Sequence, residues 1–124
     1  MIDHLSLGSH RYTESVAFYR RVLAPLRIDL QRDTGAEAAF GTPEQWCFFL
    51  YPAEAQHHVL GRGMHVAWRA PSREVVQAVH AAALAAGGAD LFTPRERPDI
   101  SASYYGAMFS DLDGHRIEVK TEAG

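Results

Sequence analysis

Ile2-Asp3-His4-Leu5-Ser6-Leu7 and Met64-His65-Val66-Ala67-Trp68 are two short alternating runs, each with a histidine near its start. Each is followed by a polar break and then by a helical pattern. In the first half Val16, Tyr19, Val22 and Leu23 recur at helical spacing. Thr13 is the expected N-cap, Glu14 suits the positive end of the helix dipole, and Pro25 stops the pattern. In the second half Ser72 is the N-cap, with Glu74 in the first turn. Val75, Val76, Val79, Ala82, Ala83 and Ala86 form the apolar stripe, and Gly87-Gly88 ends it. The offset between the two histidines is matched within one residue by that between Glu14 and Glu74, so the chain repeats itself.

Strand signals follow each helix. They fall at 27–31, 36–40 and 46–51 in the first half, and at 89–93, 103–110 and 116–121 in the second. A Pro/Arg-rich loop is expected over 94–99, and Asp111-Leu112-Asp113-Gly114 reads as a hairpin connection with Gly114 at positive φ. Each half is therefore strand, helix, strand, strand, strand. The polar segment 52–63 joins a first module of about residues 1–55 to a second of about 63–121, within one domain spanning 1–124.

Alternation also assigns faces. Leu5 and Leu7 share one face of the first strand, with Ile2, His4 and Ser6 on the other; Val66 and Trp68 oppose His65 and Ala67. On the last strand Ile117 and Val119 oppose Arg116, Glu118 and Lys120, and a bulged turn at Gly114 sets Met108 opposite Glu118, with Tyr104 and Gly106 on the same face.

Composition bounds the function. The 124 residues are 47% hydrophobic, enough for one domain with its own core. Cys47 is the single cysteine, which excludes an intrachain disulfide and a cysteine-based zinc cage. A net charge of −3, with scattered arginines, gives no reason to expect nucleic acid. No apolar run approaches the roughly 20 residues of a membrane span, and the first residues carry neither a basic n-region nor an apolar h-region. A cytoplasmic protein is expected.

His4, His65 and Glu118 are the candidate metal ligands. Two imidazoles and a carboxylate on separate strands suit Fe(II), Mn(II), Ni(II) or Zn(II) and leave positions open for substrate. Tyr104 is a candidate catalytic residue for orienting a substrate oxygen. Trp46, Phe48 and Met108 are candidate pocket residues, and core packing is the plainer reading of the first two. His57 and His58 are expected in solvent. Arg95 and Arg97 are candidates for clamping an anion, against a plain reading as solvated surface.

The repeated halves, the run Ser15 to Leu23, the run Gly63 to Ala70 and above all Tyr104 to Glu118, with its Asp-x-Asp-Gly-x-x-Ile-Glu pattern, resemble the vicinal oxygen chelate superfamily of glyoxalases, bleomycin-resistance proteins and extradiol dioxygenases. The resemblance implies an α+β fold of paired βαβββ modules, curled into a cup-shaped mixed sheet with helices on its convex face. It also implies a metal held by a His on the first strand, a His on the fifth and a Glu on the eighth, which are His4, His65 and Glu118. Glyoxalase I adds a glutamate on the fourth strand. That position falls on Phe48, with Cys47 and Phe49 one residue to either side, and none is a carboxylate, so glyoxalase I activity is not expected. The three-ligand set matches the extradiol dioxygenases, although Met108 stands where their tyrosine would be and the chain is half their usual length.

The expected function is a divalent-metal enzyme chelating two adjacent oxygens of a small substrate, possible chemistries being dioxygenase-like or lyase-like. The alternative is a metal-free protein sequestering an aromatic ligand. A homodimer is expected from the resemblance and from the open sheet edges of so small a cup.

Overall fold

The strand–helix–strand–strand–strand order appears twice in the computed structural model, which describes residues 1–124. The first module is β1 (Leu5–Ser9), α1 (Tyr12–Val22), a 3-10 turn (Ala24–Leu26), β2 (Asp29–Asp33), β3 (Ala38–Gly41) and β4 (Trp46–Pro52). The second is β5 (Val66–Arg69), α2 (Arg73–Ala85), β6 (Ala89–Glu96), β7 (Tyr105–Ser110) and β8 (Arg116–Thr121). Each module forms a four-stranded mixed sheet, ordered β1-β4-β3-β2 and β5-β8-β7-β6. The first strand of each runs parallel to the last and is hydrogen-bonded on that side only.

Strand boundaries shift from expectation by up to about three residues, and two differences have a visible cause. α1 starts at Tyr12 behind Arg11, so Thr13 lies inside the first turn rather than capping it; Ser9 Oγ instead accepts the Arg11 amide at 3.0 Å. Strand β6 runs on through Pro94, Arg95 and Glu96, where the Pro/Arg-rich composition reads as a loop, because bulges on either side of Phe92 keep it paired with β7. Ser72 caps α2 as expected, accepting from the Val75 amide at 3.2 Å.

One hydrophobic cluster of 18 buried residues takes the inward faces of both sheets and both helices. Tyr19 stacks its ring against Phe40 and Phe48 of the first sheet, Phe18 meets Phe109 of the second, and Phe48 meets Trp68 edge-on at 5.7 Å. The buried faces of the two sheets therefore turn toward each other, and their open faces turn apart.

The β7–β8 turn locks that arrangement. Gly114 has φ +91°, as the turn requires. Asp111 accepts the amides of Asp113 and His115 and the hydroxyl of Tyr19. Asp113 accepts from Ser9 Oγ at 2.5 Å, from the His10 amide at 2.8 Å and from Ser15 Oγ at 3.2 Å. His115 Nε2 pairs with the Gly8 carbonyl at 3.0 Å. Burial raises the Asp111 carboxyl above its ordinary value, against the pull of Tyr19 and His115. Two turn aspartates thus hold one module onto the other.

Candidate functional site

The open face of the second sheet carries the chemistry. Val66, Trp68, Ile117 and Val119 pack inward, so His65, immediately before β5, and Glu118, on β8, share the outward side. His65 Nε2 lies 3.2 Å from Glu118 Oε1. Met108 stands opposite Glu118 and is nearly covered. The Glu118 side chain is only 13% exposed, whereas that of His65 is 44% exposed, so the pair opens to solvent on the histidine side.

Tyr104 completes this half. It is buried, and its hydroxyl donates to Glu118 Oε2 at 2.8 Å. The ring lies across Gly106: a Cβ there would come within 2.7 Å of Cζ, so only glycine leaves it room. Lys120 Nζ sits 5.4 Å from the ring centroid and is tied to Glu122. Burial first, and the bond to Glu118 second, push the Tyr104 hydroxyl well above the ordinary tyrosine value, so it is a protonated donor at neutral pH. It grips the carboxylate rather than standing free for a substrate.

His4 is elsewhere. It lies just ahead of β1 on the open face of the first sheet, its Nδ1 2.7 Å from Asp3 and its ring 5.1 Å from that of Phe49. No three His, Cys, Asp or Glu side chains gather at one point within the chain. A single chain thus unites His65, Glu118 and Tyr104 but leaves His4 on a face turned away.

Of the candidate pocket residues, Phe48 follows its plainer reading as core. Phe48 is buried at 1% exposure, its ring among Tyr19, Phe40 and Trp68, because β4 alternates with Phe48 and Leu50 inward. Phe49 is the aromatic that faces outward beside His4, and it, not Phe48, occupies the fourth-strand position next to that histidine. Trp46 is half-buried under the Arg32 guanidinium, 5.0 Å from its ring centroid. Burial raises the Cys47 thiol above its ordinary value, consistent with an inert thiol. His57 and His58 are exposed, and His57 lends its carbonyl to His10.

Two modules of strand, helix and three strands, each closing into a four-stranded mixed sheet, define the paired βαβββ class. The chain belongs to the Glyoxalase/Bleomycin resistance protein/Dioxygenase superfamily, matching it over residues 1–119. Among solved structures it is similar to a glyoxalase/bleomycin resistance protein from Albidiferax ferrireducens, at 25% identity and TM-score 0.86 over 98% of each chain. It shares its fold with a glyoxalase/bleomycin resistance protein/dioxygenase family enzyme from Burkholderia phytofirmans, at 16% identity and TM-score 0.76 over 98% of each chain. It also shares the fold of a mutant of the fosfomycin resistance protein FosX from Listeria monocytogenes, complexed with Mn(II) and 1S,2S-dihydroxypropylphosphonic acid. That likeness is 18% identical with TM-score 0.69, over 96% of this chain and 87% of that one. No curated protein matches the sequence significantly. No helix is long and apolar enough to cross a membrane.

Proposed function

We propose that the protein is a divalent-metal enzyme that works as a homodimer. In this reading His65 and Glu118 of one subunit, together with His4 of the partner subunit, hold an ion that grips two adjacent oxygens of a small substrate. The observation that carries it is the His65–Glu118 pair itself. Two donors at right angles around an ion, each about 2.1 Å from it, stand about 3 Å apart. The observed 3.2 Å is that separation, on a face open to solvent.

Three features support the dimer. β1 and β5 are each unpaired along one edge, and each is preceded by one of the two histidines. Edge-to-edge pairing of β1 with the β5 of a second copy is self-complementary under a twofold axis, makes two equivalent sites and covers both edges. Finally, Met1, Ile2, Leu60 and Met64, which precede those two strands in the chain, are exposed apolar side chains.

A bound divalent ion supplies Lewis acidity to the two substrate oxygens. The chain's own part is positional. Tyr104 fixes one oxygen of Glu118, which leaves the other to face His65; Met108 walls the floor; Phe49 brings no acid or base to the face that carries His4. Glyoxalase-type proton transfer from the fourth strand therefore has no group to perform it, and an oxygenase-like or lyase-like reaction on a vicinal dioxygen substrate fits better.

Mixing variants tests the shared site. His4→Ala and His65→Ala proteins should each lose the ion, by elemental analysis after loading with Mn(II) or Fe(II). Unfolded, mixed in equal amounts and refolded, they should regain about a quarter of an ion per chain, because half of the random dimers hold one intact site. No recovery in verified mixed dimers would refute the shared site. Full occupancy in His65→Ala alone would refute the metal assignment.

A further inference from the structure

The open face of the second sheet carries more positive charge than a metal site needs. Across the strands, Phe92 stands opposite Met108, and Met108 opposite Glu118. In the next row Arg95 stands opposite Gly106, Gly106 opposite Lys120, and Lys120 opposite Arg69. Arg97 follows directly after β6. Its guanidinium lies 5.1 Å from the centroid of the Phe92 ring and that of Arg95 lies 5.0 Å from the same centroid. Both charges act on the Tyr104 hydroxyl, and that of Arg97 acts on Glu118 as well.

These arginines are not equally engaged. Arg97 is clamped by Asp99, with Nε at 2.9 Å and Nη2 at 2.6 Å. Arg95 has no carboxylate within ion-pair distance, and neither have Arg69 and Arg116; the polar contact of the Arg116 guanidinium is with Met108 Sδ at 3.5 Å. Five cations thus share this face with the carboxylates of Glu118, Asp99 and Glu122, on a chain whose net charge is −3. Like charges in neighbouring cross-strand positions cost stability, and a phenyl ring beneath two guanidinium groups offsets only part of that. An oxyanion removes the rest. A guanidinium that lies over a ring and has no carboxylate partner keeps its fork available to bind one bidentately.

We propose that Arg95, flanked by Arg97, is an oxyanion subsite. The ligand is then a small molecule with two adjacent oxygens and, apart from them, a carboxylate or phosphonate-type group. The second half of that statement rests on the proposed function, while the subsite itself does not.

Calorimetric titration of inorganic phosphate into the metal-free protein tests the subsite directly. Arg95→Gln should weaken phosphate binding by about tenfold or more, as expected for a lost charge-assisted bidentate contact. Arg97→Gln should weaken it less, since Asp99 already holds that fork. Arg20→Gln, on the exposed side of α1, should change nothing. Equal phosphate affinity in the native protein and in the Arg95→Gln/Arg97→Gln double variant would overturn the proposal, as would no binding at millimolar phosphate. With Mn(II)-loaded protein, 3,4-dihydroxybenzoate should bind more tightly than catechol, and Arg95→Gln should erase the difference; equal affinities in the native protein count against the proposal. Arg95-dependent phosphate binding in a protein that takes up no Mn(II) would sink the metal reading and leave the subsite standing.

Discussion

Replacing Tyr104 by Phe removes one oxygen and keeps the ring. The ring is buried, so packing across Gly106 is preserved. What is lost is the hydrogen bond to Glu118 Oε2, 2.8 Å long, on a carboxylate 13% exposed. Leaving a largely covered acceptor without its donor costs roughly 1–3 kcal/mol, and losing the partner of a ligating carboxylate typically weakens metal binding about 10- to 100-fold. Gly106→Ala should reach the same end by another route. Its Cβ would press within 2.7 Å of Tyr104 Cζ and 2.9 Å of the Val119 carbonyl, so the ring must move and take its hydroxyl with it. The assay is Mn(II) titration followed by electron paramagnetic resonance, with urea unfolding alongside. Tyr104→Phe should weaken Mn(II) binding by at least about tenfold and lower the unfolding midpoint of the metal-free protein by the equivalent of about 1–3 kcal/mol. Gly106→Ala should weaken Mn(II) binding similarly and lower that midpoint further, because the ring itself is displaced. In the Tyr104→Phe background, Gly106→Ala should cost no further metal affinity, since both act through one hydrogen bond. Mn(II) affinity in Tyr104→Phe within twofold of the native value would refute the reasoning.

Other outcomes follow from the packing. Tyr19→Phe should destabilise the fold by about 1–3 kcal/mol in urea, because it strips a donor from the buried Asp111 carboxyl at the junction of the modules. Phe48→Ala should cost about 3–5 kcal/mol, while Phe49→Ala, on the open face, should cost much less. Glu122 is held at about 2, against an ordinary value of 4.5, by hydrogen bonds from Lys120, Ser103 and Ser101. A depressed folded-state value stabilises above the unfolded value and is lost as pH falls from about 4.5 toward 2. Glu122→Gln should therefore flatten that part of the urea-midpoint profile; an unchanged slope would count against the reading.

Much of this architecture was legible in the chain. Periodicity placed both helices and all eight strands within about three residues, and alternation put His65, Met108 and Glu118 on one face, as they stand. Periodicity says which face is buried but not against what. It could not show that the two buried faces meet across a single cluster, and so that His4 points away from the pair. The choice between Phe48 and Phe49 turned on one residue of register, which inverts every side chain of a strand. Asp111 and Asp113 read as turn residues because their partners, Tyr19, Ser9, His10 and Ser15, lie in the other module. A usable signal for Tyr104 did exist: a glycine two residues on in a strand marks a close approach, and the ring lies there.

The turn that locks the modules also decides how any metal site must be assembled. With Asp111 and Asp113 holding the buried faces together, bringing His4 to Glu118 within one chain would mean opening the shared core, at a cost far above what one ligand returns. On the proposed reading a second copy supplies the histidine without that cost. Metal binding and dimerisation then stabilise each other by the same free energy, so each tenfold weakening of one in the absence of the other is about 1.4 kcal/mol of coupling. Diluting the protein through its dimer dissociation range should lower its apparent Mn(II) affinity, and saturating Mn(II) should shift the dimer midpoint to lower concentration by the square of the per-site factor, since each dimer holds two ions. Sedimentation with and without Mn(II), against Mn(II) titrations at two protein concentrations, measures both sides. A metal affinity independent of protein concentration, in a range where sedimentation shows the dimer falling apart, would mean that one chain holds the ion alone.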